Sequence, residues 1–141
     1  MLTGGATLHD GDRANGFYCA PTVVADVPYS HSAWRMELFV PLVVVGRVDS
    51  LDEAMAMTND THYGLTGGFF GTADEAAWYF DRIEVGTAYA NRSQGASTGA
   101  WPGYQSFGGW KGSGATGAGT GGPYYMLSYL REQSQTFVQR I

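Results

Sequence analysis

The chain has 141 residues, enough for one domain with its own core, and apolar residues make up 44% of it, which excludes a disordered polymer. Its net charge of −5 and single lysine, Lys111, exclude a nucleic-acid surface, which needs clustered Lys and Arg. No apolar stretch approaches the roughly 18 residues of a membrane span.

Residues 1–21 read as a turn-rich lead-in ending at Pro21. Their start, MLTGGATLHDGDR, lacks the basic end and apolar run of a secretory signal. One cysteine cannot build a disulfide framework, so a reducing compartment, the cytoplasm, is expected. Thr22–Asp26 is a strand candidate. Leu42–Val48 is β-branched and continuously apolar, as in a strand buried on both faces. Ser50-Leu-Asp-Glu53 has the capping-box pattern, and Leu51, Ala54, Met55 and Thr58 share one side of the helix it starts. Leu65–Phe70 reads as a strand. Thr72-Ala-Asp-Glu75 is a second capping box, followed by Ala76, Tyr79, Phe80 and Ile83 at helical spacing and by Gly86 as the expected stop. Thr87–Asn91 reads as the next strand.

Strand, helix, strand, helix, strand with short links predicts parallel β-α-β units. Glycine numbers 21, about twice the usual ~7%, and is concentrated after position 85. Residues 92–123 form a long Gly/Ser/Thr-rich loop interrupted by Trp101, Tyr104, Phe107 and Trp110, and a loop of this length is functional or disordered. Tyr124–Leu130 can form a short helix, and Gln133–Ile141 a final extended segment.

Several patterns carry little. Gly112-x-Gly-x-x-Gly117 and Gly117-x-Gly-x-x-Gly122 match the dinucleotide fingerprint as strings, but neither follows a strand. Asn59-Asp-Thr61 and Asn91-Arg-Ser93 match a glycosylation acceptor without a secretory context. His9, His31, His62 and Cys19 lack metal-ligand spacing. Cys19, in Gly-Phe-Tyr-Cys-Ala-Pro, has no visible partner to lower its pKa and reads as a buried, inert thiol.

Three separated segments carry a resemblance. Glu37-Leu-Phe-Val-Pro41 resembles the Glu-x-Phe-Gly-Pro segment of aldehyde dehydrogenases, Asn59–Gly68 their Asn-x-x-x-Tyr-Gly-Leu-x-x-Gly stretch, and Phe107–Gly114 their Phe-Gly-Gly-x-Lys-x-Ser-Gly element. Order and spacing agree from about Gly4 to Ile141. Thr98–Gly109 and Gly121–Leu127 are similar to the substrate loop and the Gly-Gly-Pro-x-Tyr-x-Leu segment of the 1-pyrroline-5-carboxylate dehydrogenase type.

That resemblance implies an α/β fold: a mostly parallel sheet with flanking helices over residues 1–132, the C-terminal half of the catalytic domain. Residues 133–141 would be a terminal oligomerisation strand, making a homo-oligomer. It implies NAD as cofactor, glutamate γ-semialdehyde as the small-molecule substrate, and a role in proline catabolism. Glu37 would hold the nicotinamide ribose hydroxyls, an acceptor task suited to a carboxylate, and Phe39 would wall the ring. Thr98, Gly99, Ala100 and Phe107 would hold the substrate, whose anionic end suits backbone N–H groups that small residues leave accessible. Asn91 and Lys111 are expected to be structural. In the family the nucleophilic cysteine, the general-base glutamate and the dinucleotide-binding half precede this region, so no catalytic residue is expected here, nor turnover by this chain alone. The chain departs from the pattern at Val40 (for Gly), Met36 (for an acid) and Ser106 (for Pro), and its loop after Asn91 is about three residues longer. Two other readings remain open: a non-catalytic assembly or binding domain, and the same region of an enzyme for another semialdehyde, such as succinate semialdehyde.

Overall fold

The computed structural model describes residues 2–92, 100–101, 104–115 and 118–139. It divides into two compact units, Met1–Ala54 and Met55–Ile141.

In the first unit, β1 (Thr7–Leu8) and β2 (Tyr18–Cys19) form a short antiparallel ladder. The strands β3 (Thr22–Ala25) and β4 (Leu42–Val45) pair in parallel, with Thr22 opposite Leu42 and Ala25 opposite Val45. The link between them carries a 3-10 turn, Ser32–Trp34, capped by His31, whose Nδ1 accepts from the Ala33 amide. The Trp34 indole packs on Gly46, where a Cβ would meet it at 2.7 Å, and its N–H donates to the Val27 carbonyl. Sequence placed β4 between two covered faces. Instead its side chains alternate, with Val43 and Val45 exposed while Leu42 and Val44 are partly buried.

Helix α1 (Leu51–Asn59) begins as its sequence predicts, Ser50 Oγ accepting from the Glu53 amide at 3.1 Å. The return arm is shifted by one residue: Glu53 accepts from the Asp49 amide.

In the second unit, β5 (Tyr63–Gly64) precedes β6 (Thr66–Phe69), α2 (Ala73–Phe80) and β7 (Thr87–Ala90). β6 and β7 pair in parallel across α2, the expected β-α-β unit. Both arms of the Thr72–Glu75 capping box are present. The backbone amide of Thr72, and then its hydroxyl, hold the Glu75 carboxyl below its usual pKa. Met55, Tyr79 and Ile83 form the core, with Phe69, Trp78, Val85 and Ala88 packed against them. Tyr79 stacks on Phe69, centroids 5.1 Å apart. Phe80 falls outside this core and is half exposed. Helix α2 ends at Phe80, six residues before Gly86, so that glycine has another use.

The second unit also contains β8 (Trp110–Lys111) and a 3-10 helix, Tyr125–Tyr129, within the segment read as a short helix. β8 runs antiparallel to β5. The described strands thus make four two-stranded sheets, two parallel and two antiparallel, rather than one mostly parallel sheet. Antiparallel pairing enters wherever the chain returns beside a two-residue strand. Residues 131–139 carry no helix or strand in the structure.

Candidate functional site

The sequence-predicted residues fall in both units. In the first, Glu37 is exposed and Phe39 is 90% exposed, with φ of +51°. A left-handed backbone disfavours any residue with a Cβ and commonly marks a functional turn. The family pattern has its glycine at position 40. Here that position is Val40, and the left-handed residue is Phe39. Met36, Leu38 and Val40 are also exposed, so the turn presents a run of apolar side chains around one carboxylate.

In the second unit, the segments around Tyr63 and Gly108 meet. Tyr63 pairs with Lys111 and Gly64 with Trp110. The Gly64 amide donates to Ser113 Oγ at 3.0 Å, and the Gly112 amide to the His62 carbonyl at 2.8 Å. Small residues make this junction possible. A Cβ on Gly64 would stand 2.5 Å from the Glu84 carbonyl oxygen, and one on Gly86 only 1.7 Å from that of Gly108. Gly86 is therefore a backbone contact for the loop, not a helix stop.

The loop is also tied by side chains. Asn59 Oδ1 accepts from the Glu84 amide, and its Nδ2 donates to the Arg82 carbonyl. Lys111 Nζ lies 2.6 Å from the Glu84 carboxylate and donates to the Asn59 carbonyl at 2.6 Å. Asn91 closes the β6–α2 turn, accepting from the Gly71 amide and donating to the Gly71 carbonyl. Asn91 and Lys111, expected from sequence to be structural, both make side-chain contacts within the fold. Both have left-handed backbones, φ +52° and +50°.

Beside this junction lies an open cleft of about 310 Å³, lined by Leu65, Gly86, Phe107, Gly108, Ser113 and Gly119 among others. Phe107 is partly buried, and its backbone exchanges hydrogen bonds with Thr120 in both directions. Ala100 is buried, at 3% exposure, and the Trp101 amide donates to the Gln105 side chain. Thr98 and Gly99 lie outside the described residues. Sequence reasoning missed Asn59 and Glu84 as the loop's anchors. Asn59 was legible only as the first letter of its motif, and nothing in the sequence pairs Glu84 with a residue 27 positions later.

Cys19 corrects its sequence reading, being exposed rather than buried, because β2 is an edge of a two-residue ladder. Among the described residues there is no group of three His, Cys, Asp or Glu able to hold a metal, and no helix long and apolar enough to cross a membrane.

The aldehyde dehydrogenase family pattern matches residues 1–135. A 1-pyrroline-5-carboxylate dehydrogenase of Geobacillus kaustophilus is 38% identical over 136 residues, which are 95% of this chain and 25% of that protein. The structure of a Thermus 1-pyrroline-5-carboxylate dehydrogenase with bound NAD superimposes with a TM-score of 0.80 at 39% identity, over 92% of this chain and 24% of that one. Aldehyde dehydrogenase 21 of Physcomitrella patens, in complex with the reaction product succinate, matches with a TM-score of 0.61 at 32% identity, over 78% of this chain and 21% of that one. The chain spans about a quarter of the length of these relatives. With the family pattern running through both units and two of its segments locked together around Gly64 and Ser113, this chain belongs to the aldehyde dehydrogenase family.

Proposed function

We propose that this chain is part of an NAD-dependent dehydrogenase that oxidises L-glutamate γ-semialdehyde to glutamate in proline degradation. The observation that carries the reading is the junction of Asn59–Gly68 with Phe107–Gly114, in a chain 39% identical to a 1-pyrroline-5-carboxylate dehydrogenase over 92% of its length. Residues 1–132 are read as the C-terminal part of the catalytic domain, and residues 133–141 as an extended segment that pairs between copies in a homo-oligomer. The cytoplasm is the proposed compartment.

The exposed Glu37 carboxylate and the open ring of Phe39 fit the ribose hydroxyls and nicotinamide of NAD. NAD, when bound, supplies a hydride acceptor. Glu37 would accept hydrogen bonds from the ribose, and Phe39 would keep water from one side of the ring. Thr98, Gly99 and Ala100 would bring backbone N–H groups to the carboxylate end of the substrate, with Phe107 as the apolar wall. The nucleophile and the dinucleotide-binding half are assigned to sequence beyond these residues, so the isolated chain should not turn over.

The test measures NADH formation from glutamate semialdehyde by the purified chain, alongside an NMR titration with glutamate and with succinate. No turnover, and shifts at Ala100 and Phe107 with glutamate in preference to succinate, are expected. Sustained turnover would overturn the assignment of the nucleophile elsewhere. Preference for succinate would favour the second reading, a succinate semialdehyde enzyme, which the succinate-bound relative supports. A third reading, a non-catalytic assembly domain, draws on the exposed Met36, Leu38, Val40, Val43 and Val45. Self-association without any ligand affinity would favour it.

A further inference from the structure

Lys111 combines two features that the proposed function does not use. Its backbone is left-handed, φ +50°, which a residue with a Cβ adopts only when its surroundings hold it there. Its ammonium meets two acceptors at 2.6 Å, the Glu84 carboxylate and the Asn59 carbonyl, the latter 52 residues away in sequence. Asn59 itself bonds the Glu84 amide and the Arg82 carbonyl, which ties the backbones of the two acceptor residues together. Lys111 lies two residues beyond Gly109, and Gly108 abuts Gly86 at a distance that admits no side chain. The wall formed by Phe107, Gly108 and Gly109 is therefore held at one end by a backbone contact and at the other by a charge.

We propose that Lys111 is a positioning residue: its ammonium holds β8 in a strained conformation and thereby sets the Phe107–Gly109 wall of the cleft. The proposal deepens the dehydrogenase reading and rests on it only for the identity of the ligand. The ion pair is partly solvent-exposed, 24% for the lysine side chain and 51% for the glutamate, and such pairs add little to global stability. Its effect should therefore be local. Without the ammonium, Lys111 is free to relax to negative φ, and the turn from Trp110 to Gly114 loosens.

The test compares Lys111→Met and Lys111→Arg in the full 141-residue chain, by amide hydrogen exchange and by titration with glutamate. In Lys111→Met, the Gly112 and Ser113 amides should exchange about tenfold faster while those of β3 and α2 are unchanged. Glutamate should bind about tenfold more weakly, and Lys111→Arg should restore both readouts, since it keeps a charged donor. Unchanged exchange in Lys111→Met overturns the proposal. An unmodified chain with no glutamate affinity would count against the dehydrogenase reading, while the exchange data would still decide the role of Lys111. Should Lys111→Met fail to fold, Glu84→Gln carries the same prediction for Gly112 and Ser113, and unchanged exchange there overturns the proposal.

Discussion

Tyr79 lies in the core of the second unit, 4% exposed, stacked on Phe69 and tilted against Phe80. Its hydroxyl is buried without a hydrogen-bond partner among the described residues, over a strand position, Gly67, whose Cβ would come within 2.7 Å of it. Tyr79→Phe keeps both ring contacts and deletes the orphan group. A buried unsatisfied polar group costs about 1–3 kcal/mol, so the substitution should stabilise the unit by about 1–2 kcal/mol at pH 7. In thermal unfolding this is a rise of about 4–8 °C per kcal/mol for a unit of this size. Burial, and then the charge of a neighbouring Tyr89, push the Tyr79 phenol up to about 12 from an ordinary 10.0. The folded state therefore holds this proton more tightly than the unfolded state. Its contribution is complete below pH 10 and is lost as pH rises toward 12. Unfolding curves of the two proteins at pH 7, 10 and 11.5 should diverge further with pH. A Tyr79→Phe variant destabilised at pH 7 would show that the hydroxyl has a partner, and curves that stay parallel would show that folding leaves the phenol's titration unchanged; either refutes the reasoning.

Gly86→Ala would drive a Cβ to 1.7 Å from the Gly108 carbonyl oxygen, so the loop must move; a loss of about 3 kcal/mol is expected by urea unfolding, and an unchanged midpoint would contradict the contact. Thr72→Ala removes the side-chain cap of α2 and should cost about 1 kcal/mol in the same assay. The Thr72 amide, and then its hydroxyl, hold the Glu75 carboxyl below 4.5. The variant keeps the amide, so the pH-dependent part it loses is the hydroxyl's bond to the carboxylate, which contributes above pH 4.5 and fades as pH falls through the lowered value. The difference between the Thr72→Ala and unmodified chains should shrink over that acid range, and a constant difference would argue against the hydroxyl's bond to the Glu75 carboxylate.

Local chemistry was legible in the sequence where it acts over a few residues. The Thr72–Glu75 box, the helix it starts and the β-branched run that forms β4 all follow from short-range patterns, and each formed. What could not be read depends on distant partners. Val43 and Val45 are as apolar as a doubly covered strand requires, yet composition does not say what lies on either face, and here they meet solvent. Gly86 fits a helix stop by spacing, but the Gly108 carbonyl claims it. Asn59, Glu84 and Lys111 are individually unremarkable polar residues; their joint role exists only once β5 and β8 are paired. Glu37 and Phe39 were drawn from motif resemblance, and the left-handed turn at Phe39 supplies a local physical reason to single that segment out.

The contact between Gly86 and Gly108 has a consequence for variation. Where two main chains touch directly, the separation is set by atoms common to every amino acid, and no compensating substitution nearby can restore it once a methyl intrudes. Phe107 and Trp110 line the same cleft through their side chains, whereas Ser106 is packed against Gly119 and Gly122. Engineering of the cleft should accordingly start from Phe107 and Trp110 and leave both glycines of the contact unchanged.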